Sequence, residues 1–76
     1  MWIKAQDARL INLEAIESIS VKSNESENDI VAIPTEVKSP ANESTYRLFS
    51  GSVSECEITM AEIEAAIVGK VPLLEL

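Results

Sequence analysis

Glu25, Glu27 and Asp29 fall at positions 1, 3 and 5 of an EF-hand calcium loop, and Glu36 falls at position 12. Carboxylates at that spacing can wrap a hard cation with oxygen. The backbone between them cannot. The sixth position of such a loop turns sharply and calls for glycine, whereas here it is Ile30; the tenth is Pro34. Ile30 to Ile33 is an apolar run suited to a strand, so the pattern predicts a solvated acidic loop running into a strand, and no metal. Glu14 and Glu17, three residues apart, could serve as a general acid–base pair only in a cleft that shifts their pKa values. Nothing in the sequence marks such a cleft, and a solvated face is the better reading of the pair. Cys56 is the single thiol. In the first turn of a helix it could be an activated nucleophile, but it also lies on an apolar stripe, which suits a buried small hydrophobe.

Other chemistries are removed by composition. The chain has no histidine, which excludes Cys/His zinc sites and Ser-His or Cys-His catalysis. Gly51 and Gly69 are its only glycines, so there is no glycine-rich phosphate loop. Lys4, Arg9, Lys22, Lys38, Arg47 and Lys70 are dispersed and form no basic stripe. With 6 Lys and Arg against 13 Asp and Glu, the net charge of −7 repels nucleic acid. No apolar run approaches the roughly 18 residues of a membrane span. Met1-Trp2-Ile3-Lys4 leads into Gln6, Asp7 and Arg9 rather than an apolar leader, and one free thiol suits a reducing compartment; both point to the cytoplasm. On that reading the sequons Asn24-Glu25-Ser26 and Asn42-Glu43-Ser44 are chance matches.

The elements that would position these residues follow from periodicity. Trp2–Ala5 reads as a first strand, with a turn at residues 6–8. Arg9–Leu13 reads as a second strand. Ile19 and Val21 alternate with Ser18, Ser20 and Lys22, the period of a half-buried third strand. A polar loop over Ser23–Asn28 leads to Asp29–Ile33, the most apolar run and the expected central strand. Pro34, which lacks an N–H, ends or bends it, and residues 35–37 could continue it. A second loop over Lys38–Glu43 precedes a fifth strand, Thr45–Phe49. Cys56, Met60, Ile63 and Ile67 then mark one face of a helix. Two capping boxes compete for its start, Ser54 with Glu57 and Thr59 with Glu62; the earlier keeps Cys56 on the stripe and Glu55 and Glu57 in the first turn. Gly69 is the expected stop, with Pro72 preventing resumption.

The opening Met1-Trp2-Ile3-Lys4, with Asp7, Leu10-Ile11-Asn12-Leu13 and Ile16, resembles a group of small uncharacterised bacterial and phage proteins. Their start is an aromatic residue, Ile-Lys, a turn with Asp-Gly, then Ile-Asn-Leu-Asp and an Ile-rich strand. Ile30-Val31-Ala32 and the Glu-rich helix fit the same group, and Ala8 stands where the group has glycine. The resemblance implies a fold and no activity. The Leu-x-x-Ile-x-x-Ile pattern is also similar to LytTR-type DNA-binding domains and FlbD-like flagellar proteins, although the acidic charge argues against DNA.

The expected architecture is therefore α+β: an antiparallel meander of about five strands followed by one C-terminal amphipathic helix, with a curved, PH-like partial barrel as a variant. Residues 1–69 would form the domain and residues 70–76 an apolar tail that either folds back over the sheet or meets another chain. A domain this short has a stability of order 3–5 kcal/mol and gains from a partner. The function expected is a non-enzymatic protein–protein interaction module that self-associates as a homo-oligomer, with Trp2, Leu73, Leu74 and Leu76 at the interface. No catalytic, metal or cofactor residue is assigned, and neither nucleic acid nor membrane is a partner. The alternative is a small-ligand or peptide-binding domain with a pocket between sheet and helix, near Trp2, Tyr46 or Phe49.

Overall fold

The computed structural model describes residues 1–23, 26–35 and 45–76. Its α+β chain begins with a hairpin whose register is set by isoleucines. Strand β1 (Trp2–Lys4) pairs antiparallel with β2 (Leu10–Asn12), placing Ile3 opposite Ile11. Alternation sends both inward, where Ile3 is fully buried. The turn closes through Ala5 N–H to the Arg9 carbonyl and Ala8 N–H to the Ala5 carbonyl, each 2.8 Å. The Arg9 backbone N–H and, more closely, its guanidinium at 2.8 Å donate to the Asp7 carboxylate. The backbone donor first, with the guanidinium, holds that carboxyl below its ordinary pKa.

Ala8 sits at φ 72°, in the left-handed region. A side chain there costs about 1–2 kcal/mol, and glycine gives back about 0.5–1 of that in unfolded-chain entropy. Ala8→Gly is therefore expected to stabilise the protein by about 0.5–1 kcal/mol. A urea midpoint that stays put or falls counts against the strain.

After β2 a short 3-10 turn (Leu13–Ala15), capped by the Asn12 side chain accepting from Glu14 N–H at 3.1 Å, redirects the chain into a second sheet. That sheet has the order β3-β4-β5, antiparallel throughout, with β3 at Ile16–Ser23, β4 at Asn28–Pro34 and β5 at Tyr46–Gly51. The apolar run of β4 is the central strand, as expected from its composition. Pro34 is buried as its last residue, opposite Ile16. Asn24, Glu25 and the segment 36–44 lie outside the described residues, and with them the expected Lys38–Glu43 loop and part of the Ser23–Asn28 loop.

Helix α1 runs from Val53 to Val68, starting earlier than either expected cap. Ser52 is the N-cap: its hydroxyl accepts from Glu55 N–H at 3.1 Å, and Ser52 N–H donates to the Glu55 carboxylate at 3.0 Å. Three Ser/Thr-x-x-Glu patterns follow one another here, and the first of them caps the helix. Only Glu55 is acidic in the first turn, and the Ser52 backbone N–H holds its carboxyl below the ordinary glutamate pKa. The buried face is Cys56, Thr59, Ile63 and Ala66 rather than Cys56, Met60, Ile63 and Ile67. Small Thr59 and Ala66 allow close approach to the sheet, which turns Met60 and Ile67 to one side. At the C-terminus Gly69 keeps a right-handed backbone, and Lys70 takes the left-handed one at φ 53°. Lys70 N–H reaches the Ile67 carbonyl at 3.2 Å and Val71 N–H reaches Ala66 at 3.0 Å, a Schellman ending displaced one residue beyond the glycine.

Residues 70–76 contribute the sixth strand, β6 (Leu73–Glu75), which lies parallel to β1 with Trp2 opposite Leu73 and Ile3 opposite Leu74. The first sheet thus has the order β2-β1-β6. The strands divide between two sheets rather than forming one meander, and they close no barrel. The 3-10 turn after β2 breaks the succession of hairpins, so β3 does not pair with β2, and β6 adds instead on the other side of the hairpin, beside β1. Gln6 ties the sheets together: its N–H donates to the Leu48 carbonyl at 2.8 Å, and its side-chain amide exchanges hydrogen bonds with the Ser50 backbone at 3.0 and 3.3 Å. It thereby occupies the outer edge of β5 as a strand would. One core lies between the sheets and α1, built on Ile3, Ile11, Ile30, Ala32, Leu48, Cys56 and Ile63, with Leu74 and Leu76 packed against it.

Candidate functional site

Period-two alternation in β1, β2 and β6 has a second consequence. With Ile3, Ile11 and Leu74 turned inward, Trp2, Leu10 and Leu73 must face out. Trp2 is 47% exposed, Leu10 60% and Leu73 44%. Together with Pro72 they line a shallow, almost wholly apolar depression of about 320 Å³. Lys4 and Glu75 stand opposite each other on the same face, so its charge is balanced locally in an otherwise acidic molecule.

The expected interface residues thus separate. Trp2 and Leu73 come together on the outer face. Leu74 and Leu76 belong to the opposite side, packed on the core. Leu10 and Pro72 join the patch without having been singled out. The signal for Leu10 was present: pairing Ile11 with Ile3 puts Leu10 on the face of Trp2. Tyr46 and Phe49, expected near a pocket, line neither this depression nor the groove described next.

A second surface arises from the position of α1, which packs over β4 and β5. Beside β3 it leaves a groove of about 350 Å³. Leu13, Ile16 and Ile19 form one wall and Met60, Ile63 and Ile67 the other, with Glu17 and Glu64 at the rim. Further along, Val21 faces Val53, Cys56 and Glu57.

No family model matches this chain, and no curated protein or solved structure matches it. Its own side chains carry what can be said of the chemistry.

Cys56 is 1% exposed, and its Sγ donates to the Asn28 carbonyl at 3.4 Å. Burial pushes the thiol pKa up, and nearby Asp29, Glu55 and Glu27 push it further. The group is a protonated, packed thiol, the opposite of an activated nucleophile. Asp29, expected at the fifth position of a calcium loop, lies in β4 and accepts from the Ser50 hydroxyl. Ile30, at the would-be glycine position, is extended in the same strand. Glu25 and Glu36 fall outside the described residues. Among the described residues, no three Cys, Asp or Glu side chains converge as metal ligands. Nor is any helix among them long and apolar enough to cross a membrane.

Proposed function

We propose that the protein is a non-enzymatic interaction module that self-associates through the outer face of its smaller sheet. The observation that carries this reading is Trp2, half exposed in register with Leu73 and flanked by Leu10 and Pro72. A tryptophan gives a large return on desolvation and dominates interfaces where it occurs. A twofold axis through such a patch buries it against itself, and it lets Lys4 of one copy approach Glu75 of the other. A second copy also suits a domain whose core is small for independent stability. The cytoplasm remains the compartment in which a reduced, packed thiol is at home.

Sedimentation of the full chain across a concentration series tests this. The native protein is expected to form dimers, and Leu73→Asp to remain monomeric, with Trp2 emission shifted to the red. Because each copy carries −7, association should tighten as added salt screens the repulsion. A native chain that stays monomeric up to about millimolar, the weak end of measurable association, removes the proposal.

A further inference from the structure

The groove beside α1 and the strand that borders it define a ligand class. Strand β3 is an edge in the order β3-β4-β5, so one side of its backbone has no neighbouring strand among the described residues. Natural edges are usually short, charged or covered. This one is 8 residues long; a bulge at Ile16/Ser18, Glu17 and Lys22 guard its two ends, with Lys22 on the face away from the groove, but its middle, Ser18 to Val21, has no charge. By contrast, the opposite edge of the sheet, β5, is occupied by Gln6. Ile19 and Val21 stand opposite buried Ala32 and Ile30, so they face the helix side, toward the groove. The rim carries one sign of charge: Glu17 and Glu64 at one end and Glu57 at the other, with no lysine or arginine lining either part.

We propose that β3 and the β3–α1 groove bind an extended basic segment of another protein by strand addition. The segment's main chain hydrogen-bonds to β3, and its alternate apolar side chains enter the groove against Ile16, Ile19, Met60 and Ile67. On the same face, at the two ends of the segment, lysines or arginines meet Glu17 and Glu64 at one end of the groove and Glu57 at the other. Main-chain pairing supplies affinity in such recognition, and side-chain pockets and charge supply selectivity. A second copy of this chain is a poor occupant, because pairing β3 with β3 brings the same rim acids toward one another in two copies of charge −7. The inference uses residues remote in register from the Trp2 face and does not depend on self-association there.

The test uses the full, isotope-labelled chain and a blocked synthetic peptide, as long as β3, whose alternate, groove-facing positions carry valine in the middle and lysine at both ends, with threonine between them. Comparison peptides replace both lysines with glutamate, or the valines with proline, which cannot donate to a strand. With the lysine peptide, hydrogen exchange of β3 amides is expected to slow about tenfold or more, and the Met60 and Ile67 methyl signals should shift. Neither comparison peptide should do this. Glu57→Lys with Glu64→Lys should weaken binding about tenfold while leaving the urea midpoint in place. Ser20→Pro should abolish the added protection; if it also disturbs folding, the charge-reversed protein alone decides the matter. Trp2→Ala should leave peptide binding intact, which separates this surface from the self-association face. Equal binding of the glutamate peptide, binding without slowed exchange in β3, or β3 protection that rises with protein concentration alone would each overturn the proposal.

Discussion

Truncation after Lys70 is expected to leave the chain unfolded. Residues 71–76 are six of 76, but they hold β6, the second neighbour of β1. Their removal strips Leu74 from Ile3 and Leu76 from the core, a loss of about 3 kcal/mol for two half-buried leucines. It also breaks the bonds from Trp2 N–H to the Pro72 carbonyl, from Leu76 N–H to the Lys4 carbonyl, and from Val71 N–H to the Ala66 carbonyl. At about 1 kcal/mol each, these bring the total to about 6 kcal/mol, more than the 3–5 expected for a domain this small. Far-UV circular dichroism of the truncated chain should therefore show a coil, with Trp2 emission at its solvent-exposed limit. In the full chain, Leu74→Ala alone should cost about 2 kcal/mol. A truncated chain that unfolds at the native midpoint would mean that β6 adds nothing to the fold.

Leu48→Ala carries the second large effect. Leu48 is fully buried where β5 meets both the helix and the first sheet, and its carbonyl accepts from Gln6. Removing its side chain leaves a cavity that costs about 3–5 kcal/mol, comparable to the whole stability. More telling is which probes respond. Trp2 reports on the smaller sheet, and far-UV dichroism at helix wavelengths reports on α1. Because one core joins both sheets and the helix, the two signals should shift together in urea. Ile63→Val, a milder change on the helix of about 1 kcal/mol, keeps the comparison possible if Leu48→Ala fails to fold. A shifted helix transition with an unmoved Trp2 transition would divide the molecule into independent halves.

Local pattern anticipates the larger sheet and the helix because their information is local. The Ile30–Ile33 run identifies the central strand. The alternation of Ile19 and Val21 with serines identifies its neighbour. The period of Cys56 and Ile63 identifies the helix. What escapes local pattern depends on distant partners. Leu73–Glu75 is too short and too near Pro72 to read as a strand; it becomes one only because β1 offers an open edge. The helix's rotation about its axis is decided by where Thr59 and Ala66 can approach the sheet, so Met60 and Ile67 turn to the groove instead of the core. The left-handed residue at the helix end is Lys70, although the neighbouring Gly69 is the natural candidate. For the functional surface, exposed apolar residues at both ends pointed to Trp2 and Leu73, but register was needed to add Leu10 and to send Leu74 inward.

The parallel pairing of β1 with β6 joins residues about as far apart in sequence as this chain allows. Trp2 and Ile3 keep one flank of β1 unfilled until Leu73 and Leu74 are brought back across the whole of the intervening chain. The larger sheet has no such closure to wait for, since β3, β4 and β5 follow one another along the chain. Refolding should therefore finish on the smaller sheet, with β1 as the last strand to gain its full complement of neighbours. Until then Ile3, fully buried in the folded protein, stays exposed beside Trp2 and open to association with other chains.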